Sequence, residues 1–532
     1  MVALLHPGVY VQEVPSGIRS IEGVPTSTAI FVGETERGPI IPTKIRSAGE
    51  YARFFGGHLR FEDADLRRVT MRYAVDLFFQ NGGTAAYILR ASWNGSSTAP
   101  LVANTAVALQ STFLDASSPG EWGRRLYAVY ANSTNGTFRI VVYYAAPGRQ
   151  PAFVEDWDRL SADPANANYA GEALKRSTYV RWRLGAAAPT PSTLPSGAKI
   201  LELTPDQLLA VTPNPVFTGG GDDFQVDDTT LANLVLPRLD GIDDAAIIIG
   251  ATERWVNGVA ATGGFTGDAA IEAYYNVIRS YTDVRPKLDL FFVADTPAFA
   301  TDSGVTDVRE YIAGASALTA STFAAVYWPH LEVGDPVGPT LSSTIRVPPS
   351  GAVAGIYART DGRRGVWKAP AGVEATVGGV VRMQRNVIDG EQDDLNPVGI
   401  NVIRPIPGAG TVVWGSRTLV PSGEWRYVPV RRTAMYLRKS IFNGIQFAVF
   451  EPNDTNLWGT LRTTITAFMD AQFRNGTFAG ATAREAFFVK VDAETTTPAD
   501  QAAGVVNILV GFAPLRPAEF VVVTLSQKTA TT

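Results

Sequence analysis

Three histidines, His6, His58 and His330, are the only imidazoles in the chain, so any histidine-based chemistry must use one of them. His330 follows Trp328-Pro329 at the carboxyl end of an expected strand, where α/β folds place ligands. Ser350 opens an expected helix, and Asp240 or Asp295 could orient the imidazole. A serine-hydrolase triad can therefore be drawn on paper. The Gly-x-Ser-x-Gly elbow that would expose such a serine is absent. Ser350 reads more simply as a helix N-cap before Gly351-Ala-Val-Ala-Gly355.

Other chemistries find less support. The chain has no cysteine, which removes disulfides, thiol catalysis and Cys-ligated metals together. Asp222-Asp223, Asp227-Asp228, Asp243-Asp244 and Asp393-Asp394 lack the spacing of a calcium loop and read as helix-start charges or solvated turns. Gly219-Gly-Gly221 is not followed by Lys-Ser/Thr, so it reads as a hinge and not a phosphate loop. Arg363-Arg364 and Arg431-Arg432 read as ion-pair groups, since a net charge of −5 gives no reason to expect nucleic acid. Trp255, Trp328, Trp367, Trp414, Trp425 and Trp458 are too dispersed for a base-stacking platform and read as packing residues. No cofactor is expected.

The elements that would position these groups follow from hydrophobic pattern. At 532 residues, 45% hydrophobic and 18% charged, the chain has the composition of a multidomain globular protein. No apolar run approaches a membrane span, and the N-terminus lacks the basic and apolar regions of a signal peptide. Absence of cysteine accords with assembly in the bacterial cytoplasm. Residues 28–33 read as a buried strand, Ser47 and Glu50 as a capping box, 69–79 as a helix stopped by Asn81-Gly-Gly83, and 85–89 as a strand. Between 91 and 222 the texture turns to strands and turn residues. There 126–130 and 138–144 flank the hairpin signal Asn132-Ser-Thr-Asn-Gly136. From 223 the pattern alternates. Continuous apolar strands at 245–250, 288–294 and 323–327 are separated by helices, which implies a parallel sheet covered on both faces. Farther on, 431–440 and 457–473 read as helices, and 444–450, 486–491 and 505–511 as strands.

The chain ends carry their own signal. Val9, Tyr10 and Val11 lie in a proline-bounded alternating segment, and Phe520, Val521, Val522, Val523, Thr524 and Leu525 form a β-branched run near the C-terminus. Strands at the ends need a sheet to pair with, at home or in a neighbouring copy.

Particular words carry a family likeness. Pro7-Gly-Val-Tyr-Val-Gln-Glu13, Gly23-Val-Pro-Thr-Ser-Thr-Ala-Ile-Phe-Val-Gly33 and Ala74-Val-Asp-Leu-Phe-Phe-Gln-Asn-Gly-Gly83 come first. Pro348-Pro-Ser-Gly-Ala-Val-Ala-Gly355, Arg359-Thr-Asp-Gly-Arg-Arg-Gly-Val-Trp-Lys-Ala-Pro370, Phe450-Glu-Pro-Asn-Asp454 and Pro517-Ala-Glu-Phe520 follow in order. Together they resemble contractile tail sheath proteins of phage tails, R-type pyocins and extracellular injection particles. The likeness is weaker over 91–222. It implies a non-enzymatic subunit that polymerises into a helical stack of six-membered rings around an inner tube, with baseplate and terminal cap proteins as further partners. No direct contact with nucleic acid and no membrane insertion is implied. The resemblance implies an α/β fold: a core with a parallel, subtilisin-like sheet, an inserted mostly β domain, and extended N- and C-terminal strand arms that join neighbours. The expected divisions are 1–18 (arm), 19–90 (core), 91–222 (insertion, outward-facing), 223–415 (subtilisin-like domain), 416–515 (C-terminal core) and 516–532 (arm). It also implies a C-terminal helix turned toward the tube, with Arg462 and Arg474 as candidate tube-facing residues. The alternatives are an α/β serine hydrolase, or a surface-binding particle protein acting through 91–222.

Overall fold

The computed structural model describes residues 20–58, 70–91, 108–109, 113–118, 121–146, 149–211, 217–218, 228–251, 267–297, 305–313, 318–520 and 522. His6, Val9, Tyr10, Val11, Gly219-Gly-Gly221, Asp222-Asp223, Asp227, Trp255, Val521, Val523, Thr524 and Leu525 lie outside the described residues. The chain divides into two compact units. One is Pro25–Arg431, and the other joins Met1–Val24 to Arg432–Thr532.

The larger unit is organised on an eight-stranded sheet. In chain order its strands are β1 (Ala29–Gly33), β2 (Thr43–Ile45), β3 (Ala86–Arg90), β4 (Ile247–Gly250), β5 (Phe291–Asp295), β6 (Ala324–Trp328), β7 (Ile400–Ile406) and β8 (Gly410–Val413). Their spatial order is β8-β7-β6-β5-β4-β1-β3-β2. The strands from β7 through β3 run parallel, while β8 and β2 pair antiparallel at the two edges. The sheet is thus mixed: parallel at its centre, as its continuous apolar strands imply, with antiparallel rims.

Period-two alternation sends side chains to two covered faces. Ile30, Val32, Ile248, Phe292, Val326 and Trp328 pack with Tyr274, Tyr275 and Ile278 of helix α2 (Gly267–Val284). On the other face, Phe31 meets Phe78 of helix α1 (Met71–Gln80) edge-on at 5.5 Å. Tyr327 there shares a 2.6 Å hydroxyl contact with Tyr357 of helix α3 (Ser350–Arg364).

Glycine spacing sets how closely α1 and α3 approach. Gly351 and Gly355 lie one turn apart, on the same face of α3. A Cβ at Gly351 would stand 2.4 Å from the Ala74 carbonyl oxygen, and one at Gly355 would stand 2.4 Å from that of Phe78. Only hydrogen fits at both. Asn81, just past α1, donates to the Leu77 carbonyl (2.8 Å) and exchanges two hydrogen bonds with the Gly378 backbone (3.1 and 2.8 Å).

Within the insertion, an antiparallel sheet of Leu126–Asn132, Phe138–Tyr144 and Ala152–Leu160 forms where the hairpin signal stands. Asn135 (φ 55°) and Gly136 (φ 72°) supply the left-handed backbone of the turn. Ile140, Val142 and Tyr144 pack against Trp122, Leu174 and Trp182, while Val141 and Tyr143 face Leu203 and Leu208. The insertion meets the core through the buried Glu36-Arg37-Gly38 segment that follows β1. Tyr144 donates to Glu36, whose carboxylate also accepts from the Gly57 N–H at 2.7 Å. Arg37 lies 4.1 Å from the Tyr179 ring centroid and donates to that hydroxyl at 2.9 Å. The Gly38 N–H donates to Ser118 at 3.0 Å. Burial, reinforced by Glu36, pushes the Tyr144 phenol well above its ordinary pKa, so it remains a donor.

In the smaller unit, helix α4 (Val428–Gly444, from Arg432 onward) and helix α5 (Thr455–Arg474) precede an antiparallel pair, β9 (Phe487–Lys490) and β10 (Leu509–Phe512). Residues 444–450, expected as a strand, instead form the end of α4 and a 3-10 turn at Gln446–Ala448. A short apolar run fits either period, and here its residues divide. Ile445 and Phe447 turn inward, whereas Val449 and Phe450 are exposed.

Gly355→Ala should destabilise the larger unit by about 1–3 kcal/mol, since the added methyl meets backbone that cannot yield. Gly362→Ala, on the same helix with open space around it, should be neutral or stabilising by up to about 1 kcal/mol. Thermal denaturation followed by circular dichroism would check the pair, and equal effects would remove the close-contact explanation.

Candidate assembly surface

The drawn triad does come together in space, but its hydrogen bonds run the wrong way for hydrolysis. Asp295 ends β5, His330 follows β6, and Ser350 is the first residue of α3; all three are buried. Ser350 donates its hydroxyl proton to Asp295, which also accepts the Ser350 N–H at 2.8 Å. The serine therefore has no proton left to give an imidazole. His330 Nε2 lies 2.8 Å from the Thr296 carbonyl oxygen, which only accepts, so this nitrogen carries a proton and cannot serve as base. The cap residue of α3 is Pro349, and the oxygen that satisfies the helix start comes from Asp295, not from Ser350 as expected. Asp240 is elsewhere, accepting from Tyr281 at 2.8 Å.

Several of the remaining polar candidates have structural partners. Asp243, exposed in a loop as expected, pairs with Lys287, and the partly buried Asp244 pairs with Lys44. Arg364 binds Glu374 at 2.8 Å. The guanidinium carbon of Arg431 stacks 3.6 Å from the Phe323 centroid and 4.7 Å from that of Trp425. His58 contacts Asp76 at 3.0 Å and packs on Tyr73.

The smaller unit presents a different kind of site. Along 505–512 the chain alternates: Val506, Ile508, Val510 and Phe512 pack inward, while Val505 and Leu509 are exposed. Phe488 lies across the strand from Gly511 on the outward face, and a Cβ on that glycine would stand 2.2 Å from the Phe488 ring. The ring therefore covers backbone the glycine leaves bare. Among the described residues no third strand pairs with β9 or β10. Such a pair offers main-chain donors and acceptors along both outer sides.

Both described ends of the chain are rooted in this unit. Ile21 packs among Leu437, Ile465, Phe468 and Phe487, and the Val24 N–H donates to Ser440 at 3.1 Å. Gly23 passes where a Cβ would stand 2.2 Å from the Tyr436 hydroxyl. At the other end, Ala513 closes on Ala486 (2.8 Å) and Ala479 (2.9 Å), and the chain then leaves regular structure. Phe520 and Val522 stand in no strand, with 74% and 88% of their surface exposed. Sequence reasoning missed this common root, since nothing local ties residue 21 to residue 465.

Helix α5 packs on this unit through Leu457, Trp458, Leu461, Ile465, Phe468 and Met469. Asp454 caps it by accepting from the Leu457 (2.9 Å) and Asn456 (3.0 Å) N–H groups, and the Leu457 bond chiefly holds its carboxyl below the ordinary pKa. Arg462 and Arg474 are both exposed on the opposite arc. Twelve positions on an ideal helix separate them by about 18 Å and about 120°, so they span the arc and do not form one patch.

Regions spanning part of the parallel sheet and most of the smaller unit resemble known proteins. Residues 248–419 match the phage tail sheath protein central domain, and residues 421–528 match the phage tail sheath C-terminal domain. The chain is 30% identical over 125 residues to the tail sheath protein of Vibrio phage KVP40, covering 23% of this chain and 19% of that one. It is 29% identical over 180 residues to a putative prophage major tail sheath protein of Pseudomonas aeruginosa strain UCBPP-PA14, covering 33% and 44%. The matches thus span less than half the length of these curated relatives. In fold, it is similar to the sheath subunit of an extracellular contractile injection system, the PVC sheath complex in its contracted state. The TM-score is 0.57 at 23% identity, over 99% of both chains.

A fluorophosphonate probe should leave Ser350 unlabelled in the folded protein, because its hydroxyl is buried and committed to Asp295. Intact-mass measurement would check this. Stoichiometric labelling at Ser350 would restore the hydrolase.

Proposed function

The chain belongs to the contractile tail sheath family, and from that premise we propose that it is the subunit of a helical sheath around an inner tube, whose contraction drives the tube into a target envelope. One observation carries the proposal furthest: both described chain ends are rooted in the small unit whose two-stranded sheet has no further partner strand among the described residues. A chain that lends strands from the unit that also receives them can link copy to copy without limit. Head-to-tail contacts that do not close produce an open helical lattice. Added strands bring main-chain hydrogen bonds that are indifferent to the exact pose of the donor's body.

The N-terminal arm (1–18, with Val9, Tyr10 and Val11) and the C-terminal arm (516–532, with Phe520 to Leu525) are the strands we assign to neighbours. Proline and glycine at Pro7, Gly8, Pro15, Gly17, Pro514 and Pro517 let the arms bend while their strands stay paired. The body of the larger unit, with its parallel sheet, fits the subtilisin-like fold that the family resemblance implies. It would rotate nearly rigidly as the lattice shortens. The extended sheath is then a kinetically trapped state. A gain of about 1 kcal/mol per subunit suffices when many coupled units move together. The insertion, near residues 91–222, would face outward. Other copies, the inner tube, a baseplate and a terminal cap are the partners of this reading. Assembly would take place in the bacterial cytoplasm, for a phage tail or an injection particle.

Removing 1–16 or 520–532 should leave a folded monomer by circular dichroism and size-exclusion chromatography that forms no cylinders in negative stain. Full-length sheaths from either truncated protein would rule out the arms as connectors.

Tube contacts must release during contraction, which favours solvated charge over a large apolar patch. Arg462→Glu with Arg474→Glu should therefore still give empty sheaths but fail to co-sediment with inner tubes. Undiminished co-sedimentation would remove these two residues from the tube interface.

A further inference from the structure

Phe450 is anomalous in two independent ways. Its φ is +69°, in the left-handed region, where a bulky aromatic is a genuine outlier and asparagine or glycine is usual. Its ring is also fully exposed, at 103% of the reference surface, and Val449 before it is exposed as well. Within one copy, a strained backbone and a wetted ring both cost stability, and no packing offsets either.

The turn that presents the ring is nevertheless firmly held. The side chain of Asn453 donates to the Val505 carbonyl at 3.0 Å and accepts from the Trp458 indole N–H at 2.9 Å. Its backbone carbonyl accepts from Gln501. Glu451 closes back on Ala448 at 3.2 Å, and Asp454 caps α5. A rigid turn that presents an aromatic ring loses little entropy when that ring is buried by a partner. Buried aromatic anchors of this kind dominate interface energies.

We propose that Phe450 is an aromatic anchor that inserts into a second copy of this chain in the assembled polymer. The second copy is indicated by continuity. Asn453 bonds the turn to Val505, and the same segment carries the outward row Val505 and Leu509 into β10, beside which no third strand stands among the described residues. A copy engaged at that sheet is brought up to the ring. This assignment rests on the sheath reading and adds to it a body-to-body contact distinct from the arms.

The test replaces the ring but keeps the backbone preference. Phe450→Asn suits the left-handed conformation, so the monomer should unfold at an unchanged or higher temperature. Its critical concentration for polymerisation should rise about ten-fold or more. In a second measurement, a benzoyl-phenylalanine photo-crosslinker at position 450 of assembled sheath should join two copies of the chain. Polymerisation of Phe450→Asn at the parent's concentration would overturn the anchor while leaving the sheath reading intact. So would a crosslink only to the tube, or only within one copy. A parent protein that forms no polymer would overturn both.

Discussion

A strand pair standing alone cannot satisfy its own backbone. Each outer side carries a row of N–H and C=O groups that water solvates poorly once neighbouring apolar surface is present, and an isolated pair is marginal in stability. In the smaller unit α5 supports one face of β9 and β10, while the other face holds Phe488, Leu509 and Val505 in water. The strand exchange proposed for the protein rests on this pair having no third strand among the described residues. Monomeric proteins usually blunt open strands with charge, proline or a covering element. Here only Lys490 puts a charge on either strand.

The two units treat the same physics in opposite ways. In the larger one, both faces of the central sheet are covered, and its rims are short antiparallel strands. Its closest helix contact is fixed by glycines that allow no slack. Even the insertion is held by polar groups that find partners under burial: Glu36 by Tyr144 and Gly57, Arg37 by Tyr179. A carboxylate and a guanidinium at such a junction fix register more than they add stability, because each loses its partner if the insertion shifts. The smaller unit has a two-stranded sheet with no third strand among the described residues.

Sequence was most informative where one local pattern had one structural solution. Ile247, Ile248 and Ile249 could hardly be anything but a buried strand, and Asn132-Ser-Thr-Asn-Gly136 could hardly avoid a turn. Local pattern failed where burial was decided at long range. Residues 444–450 looked like a strand because five apolar residues in seven fit either period, and only the packing of Ile445 and Phe447 on α5 separates them from Val449 and Phe450. The root of residues 20–24 in the C-terminal unit was equally invisible, since it depends on Tyr436 and Ser440. The strand pair itself was legible as two strands, but not as a pair with no third strand among the described residues.

The buried Ser350, His330 and Asp295 show why residue types at the right end of a sheet are weak grounds for catalysis. Parallel strands end where helices begin, and a buried helix start needs acceptors for its free N–H groups. An aspartate at the end of β5 supplies one to α3, the serine hydroxyl adds a second bond, and a histidine at the end of the neighbouring strand satisfies the Thr296 carbonyl. The constellation is what a buried strand-to-helix junction requires for itself. Catalysis would need the serine proton directed to a ring nitrogen and an open path for substrate, whereas here that proton goes to Asp295 and all three residues are buried.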